Sequence, residues 1–274
     1  MAESNFGTLI ETRLRVATWN LWWRFGPWEE RLPAIVETLR AVDADVVCLQ
    51  EVWLELDSGR GSADVIAEAL GAHAVVANRA DLDGIGFANA VVSRWPIASH
   101  DWRPLYSPPQ LEEYRLVLRA DIDGPRGPFQ IFTTHLHWRL DHSHIRQRQV
   151  REICEFVLAA PDRTYPPILC GDFNADPEAE EIRMLTGLTS VPVPPLVFHD
   201  AWRFAGEGPG ITWSNANPYA ARDLEAERRL DYVFVGWPKR GGAGHIVGVE
   251  LIGTEPVEGV WPSDHYGVCA SLRY

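Results

Sequence analysis

Short β-branched runs recur along this chain from Arg15 to Leu272, and six times a run is flanked by a side chain that can carry chemistry. The runs Arg15 to Trp19, Val46 to Leu49, Ala90 to Ser93, Leu116 to Ile122, Phe129 to Leu136, Ile168 to Cys170, Asp231 to Val235, Ile246 to Leu251 and Gly267 to Leu272 predict strands. Between them, Leu32, Ile35, Val36, Leu39 and Val42 keep the 3 and 4 spacing of a helix face. So do Val65, Ile66, Ala69 and Leu70, bracketed by Ser62 as the expected N-cap and Gly71 as the stop. Two more helices are expected over Ile145 to Leu158 and Glu178 to Leu185, the second ended by Gly187. Strands and helices are mixed from end to end with no Gly/Ser/Pro linker, which favours one α/β domain over residues 14–274 behind a short N-terminal extension, 1–13. Leu54 to Ser62 and Val191 to Arg228 are rich in Gly, Pro, Asn and charge, and are expected to wall a site.

Composition narrows the function. Apolar residues make up 46% of 274, enough for a large core, which excludes disordered and disulfide-scaffold classes. Acids exceed bases 38 to 25, a net charge of −13, and no basic run is longer than a pair. A broad basic footprint for nucleic acid is therefore missing. Neither a signal-like apolar stretch nor a membrane span is read, and the four cysteines lie in apolar or helical runs without paired metal spacing. These features lead us to expect a soluble cytoplasmic protein.

The chemistry sits at strand ends: Asn20 in TWN, Glu51 in LQE, His135 and His137 in THLH, Asp172, Asn174 and Asp176 in GDFNADP, Asp231 in LDYVFV, and Asp264 and His265 in PSDHYG. Side chains where strands stop converge on one rim of a sheet, where α/β proteins place ligands. Each alone has a plainer reading. Asp172 and Asn174 suit an Asx turn before the helix near Pro177, Asp264 suits a turn, and Asp231 suits a strand edge. His135 and His137, two apart on a strand, could form a zinc pair with His142 and His144.

The order TWN, LQE, THL, GDFN, DY, SDH resembles the endonuclease/exonuclease/phosphatase family of metal-dependent phosphoesterases, over about Arg15 to Tyr274. NAVVSRWPI from Asn89 and the Arg146–Gln149 helix start are similar to softer family signatures. The resemblance implies a four-layer α/β sandwich, two packed mixed β-sheets flanked by helices. It implies a Mg²⁺ site, with Mn²⁺ as substitute, at Glu51, Asn20 and Asp264. It gives Asp172 the attacking water, Asn174 the phosphoryl oxygens, His265 the phosphate with Asp231 as its partner, and His135 the leaving-group side. Asn89, Arg115, His137 and Trp213 are further candidates for substrate contact, and Tyr106 and Tyr114 are candidates for a catalytic tyrosine.

THLH followed by Trp138 is closer to neutral sphingomyelinases than to abasic endonucleases, and their long membrane hairpin is not seen. Among 12 tryptophans, Trp22, Trp23, Trp28, Trp202 and Trp213 fall in loops near the motifs and are candidates for stacking on substrate. The leading expectation is a Mg²⁺-dependent phosphoesterase on a small phosphodiester, phosphomonoester or lipid headgroup. The alternatives are a nuclease, with Arg146, Arg148, Arg151, Arg228 and Arg229 on phosphates, and a non-catalytic phospho-ligand binder. Oligomeric state is not read from the sequence.

Overall fold

Period-2 alternation decides how these strands stack. The computed structural model describes residues 5–111 and 113–274. Among them the elements run β1 (Arg13–Asn20), α1 (Trp28–Val42), β2 (Val46–Glu55), α2 (Ser62–Leu70), β3 (His73–Asn78), β4 (Ile85–Ser93), β5 (Ile97–Pro104), β6 (Leu116–Gly124), β7 (Gly127–His135), α3 (Ser143–Ala159), β8 (Ile168–Asp172), α4 (Glu180–Thr186), β9 (Phe198–Asp200), α5 (Ala201–Ala205), β10 (Asp231–Gly236), β11 (Ile246–Ile252) and β12 (Gly267–Arg273). They form two six-stranded mixed sheets, ordered β11-β12-β1-β2-β4-β3 and β5-β6-β7-β8-β10-β9. β1–β2 and β7–β8 are parallel, and the other pairings are antiparallel.

Leu14, Val16, Val46, Cys48 and Val91 of the first sheet interdigitate with Leu118, Ala120, Ile131, Cys170 and Val233 of the second in one buried core. The opposite face of the first sheet packs Val47, Leu49 and Val92 under Ile35 and Leu39 of α1 and Ile66 of α2. The second sheet's outer face packs Val117, Phe132 and Leu169 against Ile153 and Val157 of α3 and Ile182 of α4. The result is the expected four-layer sandwich.

All nine sequence-expected strands and all four expected helices are present, with shifted ends. Strands β3, β5 and β9 are additional, and all three sit at sheet edges, where one side of the strand needs no partner and the apolar alternation lapses. Ser62 is the first residue of α2 rather than its cap: Gly61 holds that place, its N–H bonded to Asp64 Oδ2 at 2.7 Å. The segment expected as a second loop wall, Val191 to Arg228, carries β9 and α5. Residues of the extension dock on the body, with Ile10 N–H donating to Gly241 O at 2.8 Å. No helix among the described residues is long and apolar enough to cross a membrane.

Candidate active site

Five strands run from core to cleft on their inward faces. In β1 the inward series is Leu14, Val16, Thr18, Asn20; in β7 it is Phe129, Ile131, Thr133, His135; in β8 it is Ile168, Cys170, Asp172; and β10 runs the other way, Asp231, Val233, Val235. A buried hydrogen-bonded layer separates oil from site. Gln50 Nε2 donates to Thr18 Oγ1 at 3.1 Å and Thr133 Oγ1 at 3.0 Å, tying the sheets together just below the cleft.

Strand β2 needs a device, because strict alternation would send Glu51 outward with Val47 and Leu49. The β2–β4 register shifts between Leu49 and Val52, so that Gln50 and Glu51 together oppose Asn89, and Glu51 takes φ 52°. This bulge turns the carboxylate into the cleft, and a non-glycine residue in that region carries strain of the kind found at functional sites. Asn174, at φ 50°, is a second such residue. Gly171, at φ 148°, lets β8 approach β7: a Cβ there would lie 2.0 Å from the Thr134 carbonyl oxygen.

Asn20 Nδ2 donates to both Glu51 Oε1 and Asp172 Oδ2 at 3.0 Å, while its Oδ1 accepts from Trp22 N–H at 2.9 Å. In this arrangement Asn20 bridges two carboxylates as a donor rather than presenting an oxygen to an ion. Asp172 Oδ1 accepts from Asn174 N–H at 2.8 Å, so the Asx turn read from sequence is real and serves to aim both residues. Asn174 Nδ2 gives one hydrogen to Leu136 O at 3.1 Å. Asp231 Oδ2 lies 2.8 Å from His265 Nδ1, and the other imidazole nitrogen, Nε2, lies 3.9 Å from Asp172 Oδ2. The Ser263–His265 turn is anchored by Trp19 Nε1 on His265 O (2.9 Å), Asn217 Nδ2 on Ser263 O (2.7 Å) and Ser263 Oγ on Asn20 O (2.7 Å). His135 Nε2 stands 3.4 Å from Asp172 Oδ2.

Electrostatics divide these groups. Burial, then the neighbouring Asp264, raises Glu51; burial, then Asp231, raises Asp172; and burial raises Asp264. Burial alone would lower His265, but the charges of Asp231 and Asp172 outweigh it and push the imidazole up to about 10. His135 goes the other way, burial holding it neutral. One ligand atom each from Asp172, Asp231 and His265 falls within 4.8 Å, close enough for an ion. His265 Nδ1 is already bonded to Asp231 Oδ2 at 2.8 Å, which fixes the ring for proton handling. Asp172 and Asp264 are buried and Glu51 is half-buried in one cleft, and Glu51 Oε2, itself buried, has no hydrogen-bond partner. A hard divalent cation fits that donor set.

The cleft encloses about 490 Å³. Glu51, His135, Asp172, Asn174, Asp264 and His265 line its floor, with Arg115, Arg228, Trp22 and Trp213 on its walls. Asp231 stands behind His265, fully buried. Trp213 meets the His265 ring edge-on at 5.0 Å. Thus Arg115 and Trp213 reach the cleft, whereas Asn89 and His137 do not line it. Asn89 opposes the bulge and donates to Leu116 O at 3.4 Å. β7 ends at His135, so the chain turns before His137, which pairs with His142 at 2.5 Å and takes Gln149 Oε1 on its N–H. Of the four histidines of the zinc alternative, His137, His142 and His144 lie together, while His135 is apart, facing the cleft.

Other expectations are also corrected. Arg146 is buried on Glu181, Arg151 bonds Pro192 O, Arg148 pairs with Glu152, and Arg229 holds Asp200; of the five arginines expected on phosphates, Arg228 lines the cleft. Tyr106 lies under Arg148, and Tyr114 is exposed. Leu54 to Ser62 does not wall the site; Leu54 and Glu55 continue β2. Arg31 was missed. It is fully buried, with Nη atoms donating to the carbonyls of Leu21, Trp22, Trp23, Phe25 and Pro262, and it shapes the loop beside Asn20. Its signal was a cation at the i−4 position of Ile35, on the apolar stripe of α1.

A model of the Endonuclease/Exonuclease/phosphatase family matches residues 17–265. The chain is 30% identical to mouse (Mus musculus) tyrosyl-DNA phosphodiesterase 2 over 171 residues, 60% of this chain and 43% of that one. It is 28% identical to the inositol phosphosphingolipids phospholipase C of Schizosaccharomyces pombe over 260 residues, 81% of this chain and 59% of that one. The chain thus spans about half the length of these relatives. Its fold superposes on D. rerio TDP2 complexed with single strand DNA product with TM-score 0.77 at 20% identity, covering 96% of this chain and 100% of the other. Sequence and fold agree that the chain belongs to the endonuclease/exonuclease/phosphatase family, whose enzymes use divalent metals.

Proposed function

We propose that this protein is a Mg²⁺-dependent phosphoesterase, able to use Mn²⁺, that hydrolyses a small phosphodiester or phosphomonoester, lipid headgroups included, by in-line attack of water. One observation carries the reading: carboxylates in the cleft, with a buried unpartnered oxygen on Glu51, face across Asn20 an imidazole fixed by Asp231. Glu51 and Asp264 would hold the cation, with Asn20 setting the Glu51 carboxylate. When bound, it supplies charge neutralisation on a phosphoryl oxygen.

The residues divide the remaining work. Asp172 orients the water and accepts its proton. His265 and one Asn174 amide hydrogen donate to the phosphoryl oxygens as charge builds, where such donors act most strongly. His135, neutral, faces the leaving group, and Arg115 adds a cation at the wall. A cleft of about 490 Å³ with Asp223 and Glu225 on its lining suits a small substrate over a duplex. The four buried free thiols fit the cytoplasm as its compartment.

A second reading, hydrolysis at a single-stranded nucleic-acid end, is favoured by one feature. Arg228 also borders a groove of about 810 Å³ lined by Trp202 and Arg203, which could take a strand leaving the cleft. A hydrolysis panel of small phosphodiesters, phosphomonoesters, single-stranded and duplex DNA, run with Mg²⁺ and with chelator, separates these. We expect metal-dependent turnover, highest on small esters. Higher efficiency on single strands transfers the function to the second reading, and full activity in chelator overturns both.

A further inference from the structure

Arg31, in the first turn of α1, is 1% exposed, and its guanidinium donates to main-chain carbonyls. Nη1 bonds Leu21 O at 2.8 Å and Pro262 O at 2.9 Å; Nη2 bonds Trp22 O and Trp23 O at 2.9 Å and Phe25 O at 3.0 Å. Burial brings its pKa down to about 10, with Asp264, Tyr219 and Glu51 opposing the fall, so the group is charged at neutral pH.

The loop it holds also faces the site. The N–H of Leu21 donates to Gln50 O at 2.9 Å, that of Trp22 to Asn20 Oδ1 at 2.9 Å and that of Trp23 to Glu51 O at 3.0 Å. Leu21 to Phe25 is thus a strip with carbonyls on a buried cation and amides on Asn20 and the β2 bulge. The Trp22 amide fixes Asn20 Oδ1 as the acceptor, which turns Asn20 Nδ2 toward Glu51 and Asp172. Pro262 O belongs to the residue before the Ser263–His265 turn, and Ser263 Oγ returns to Asn20 O at 2.7 Å.

The strip does not take this shape unaided. Trp22 and Trp23 have φ 57° and 35°, left-handed values that bulky side chains avoid, and carbonyls brought to one focus repel each other unless a cation sits there. Gly26 makes room, since a Cβ there would lie 2.7 Å from the Trp22 ring, over which the Arg31 guanidinium stacks at 4.8 Å.

We propose that Arg31 is a positioning residue for the cation side of the cleft, holding the Leu21–Phe25 strip and the Ser263–His265 turn so that Asn20, Glu51 and Asp264 stay aimed at one ion. This rests on the phosphoesterase reading above, which gives the cation to Glu51 and Asp264. Arg31 meets neither ion nor substrate; its effect passes through the carbonyls it holds.

The test is Mg²⁺ titration calorimetry of the full chain without substrate, on wild type, Arg31→Lys and Arg31→Met. Tm in chelator and the Mg²⁺ concentration for half-maximal hydrolysis of a small phosphodiester are measured alongside. Lysine keeps the charge but offers its donors from one nitrogen, so it should hold part of the strip, and methionine none of it. We expect Mg²⁺ affinity to fall about 10-fold in Arg31→Lys and about 100-fold in Arg31→Met, the range usual when a group that orients metal ligands is lost. The Mg²⁺ requirement of hydrolysis should rise by the same factor, so that added Mg²⁺ restores turnover in Arg31→Lys. Should Arg31→Met not fold, Arg31→Lys carries the test. Wild-type Mg²⁺ affinity in a folded Arg31→Lys, whatever its Tm, overturns the inference and leaves the phosphoesterase reading intact, as does loss of the fold in both variants, which would make Arg31 a support of the fold alone. A wild type that binds no Mg²⁺ and hydrolyses no phosphoester defeats the phosphoesterase reading instead, and the inference with it.

Discussion

On the side of the cleft supplied by the β1–β2 sheet, burial and the neighbouring Asp264 raise the proton affinity of Glu51, burial raises that of Asp264, and one Glu51 oxygen has no partner. On the side supplied by β8 and β10, Asp172 and Asp231 are more deeply buried, and they meet the His265 ring that reaches across from the Ser263–His265 turn. Both sides hold carboxylates raised by burial, and the His265 charge offsets Asp172, Asp231 and Asp264 alike. Asp231 and Glu51 each keep a buried oxygen with no partner, but the other oxygen of Asp231 is paired with His265, while Glu51 lines the cleft beside Asp264 with the neutral Asn20 amide on its other oxygen. A buried carboxylate oxygen without a partner is costly unless a cation takes it. The difference assigns the cation to the first side and the proton traffic to the second.

Removing His265 or Asp172 should break the second side with the largest effect. His265→Ala and Asp172→Asn are each expected to lower kcat by about 10²- to 10³-fold, the usual loss when a donor acting in the transition state is removed. Circular dichroism should show the fold retained. A turnover near wild type in either variant would remove that residue from the mechanism.

The first side is sharpened by stability measurements. Its carboxylates, like Asp172 opposite, have raised proton affinity in the fold, so the metal-free protein keeps protons that the unfolded chain releases. Stability therefore falls as pH rises from the ordinary carboxylate range through the raised folded values. A bound divalent ion reverses this, adding about 2.7 kcal/mol at a hundred times its Kd. Calorimetric scans should show Mg²⁺ raising Tm, more at pH 8 than at pH 5, with the gain lost in Glu51→Gln and kept in His265→Ala. The opposite pattern would exchange the two sides.

A third measurement tests the neutralisation itself. His265, lifted to about 10, should give the ¹⁵N signature of an imidazolium at pH 8, and Asp231→Asn should bring its titration down toward the neutral range. Its charged form stabilises the fold fully below the ordinary histidine value, and that contribution fades as pH rises through the raised one. A neutral ring at pH 8 in the wild type would contradict the assignment of His265 as a donor.

The same contrast explains what could be read from the sequence. Central strands such as Val46–Glu55 and Ile168–Asp172 announce themselves, because both their faces are covered and apolar content is forced. Edge strands β3, β5 and β9 have no such requirement and stayed hidden; β5, IASHDWRP, is exposed along most of its length. Site residues at strand ends were legible because alternation carries them inward, as with Asn20, His135 and Asp172. Glu51 was found by its motif, while the bulge that aims it leaves no mark in a single sequence. His137 was misplaced because alternation was extended one step past the end of β7. Arg31, Asn217 and Ser263 act on backbone carbonyls and amides, and such contacts depend on where loops pass.

The smallest expected effect concerns the cleft wall that joins the two sides to the mouth. Glu113 Oε2 accepts from Arg115 Nε at 2.9 Å, and its Oε1 accepts from Trp138 Nε1 at 2.9 Å, so one carboxylate holds both the wall's cation and an indole of the rim. The pair with Arg115 is largely buried, with side-chain exposures of 9% for Arg115 and 19% for Glu113, and the carboxylate is not on the cleft lining with Glu51, Asp172 and His265. Glu113→Gln preserves shape and an acceptor but removes the charge, which costs about 1 kcal/mol where a charged hydrogen bond becomes a neutral one, or about five-fold. That loss should fall on KM, because Arg115 and Trp138 would sample other positions while Asp172 and His265 stay fixed. Steady-state kinetics on a small phosphodiester should therefore show a few-fold higher KM at unchanged kcat, and Glu113→Asp, with its shorter reach, should be no better. A hundred-fold fall in kcat would place Arg115 among the groups that act in the transition state and join wall to floor. An unchanged KM would leave Arg115 as a cation the substrate does not meet.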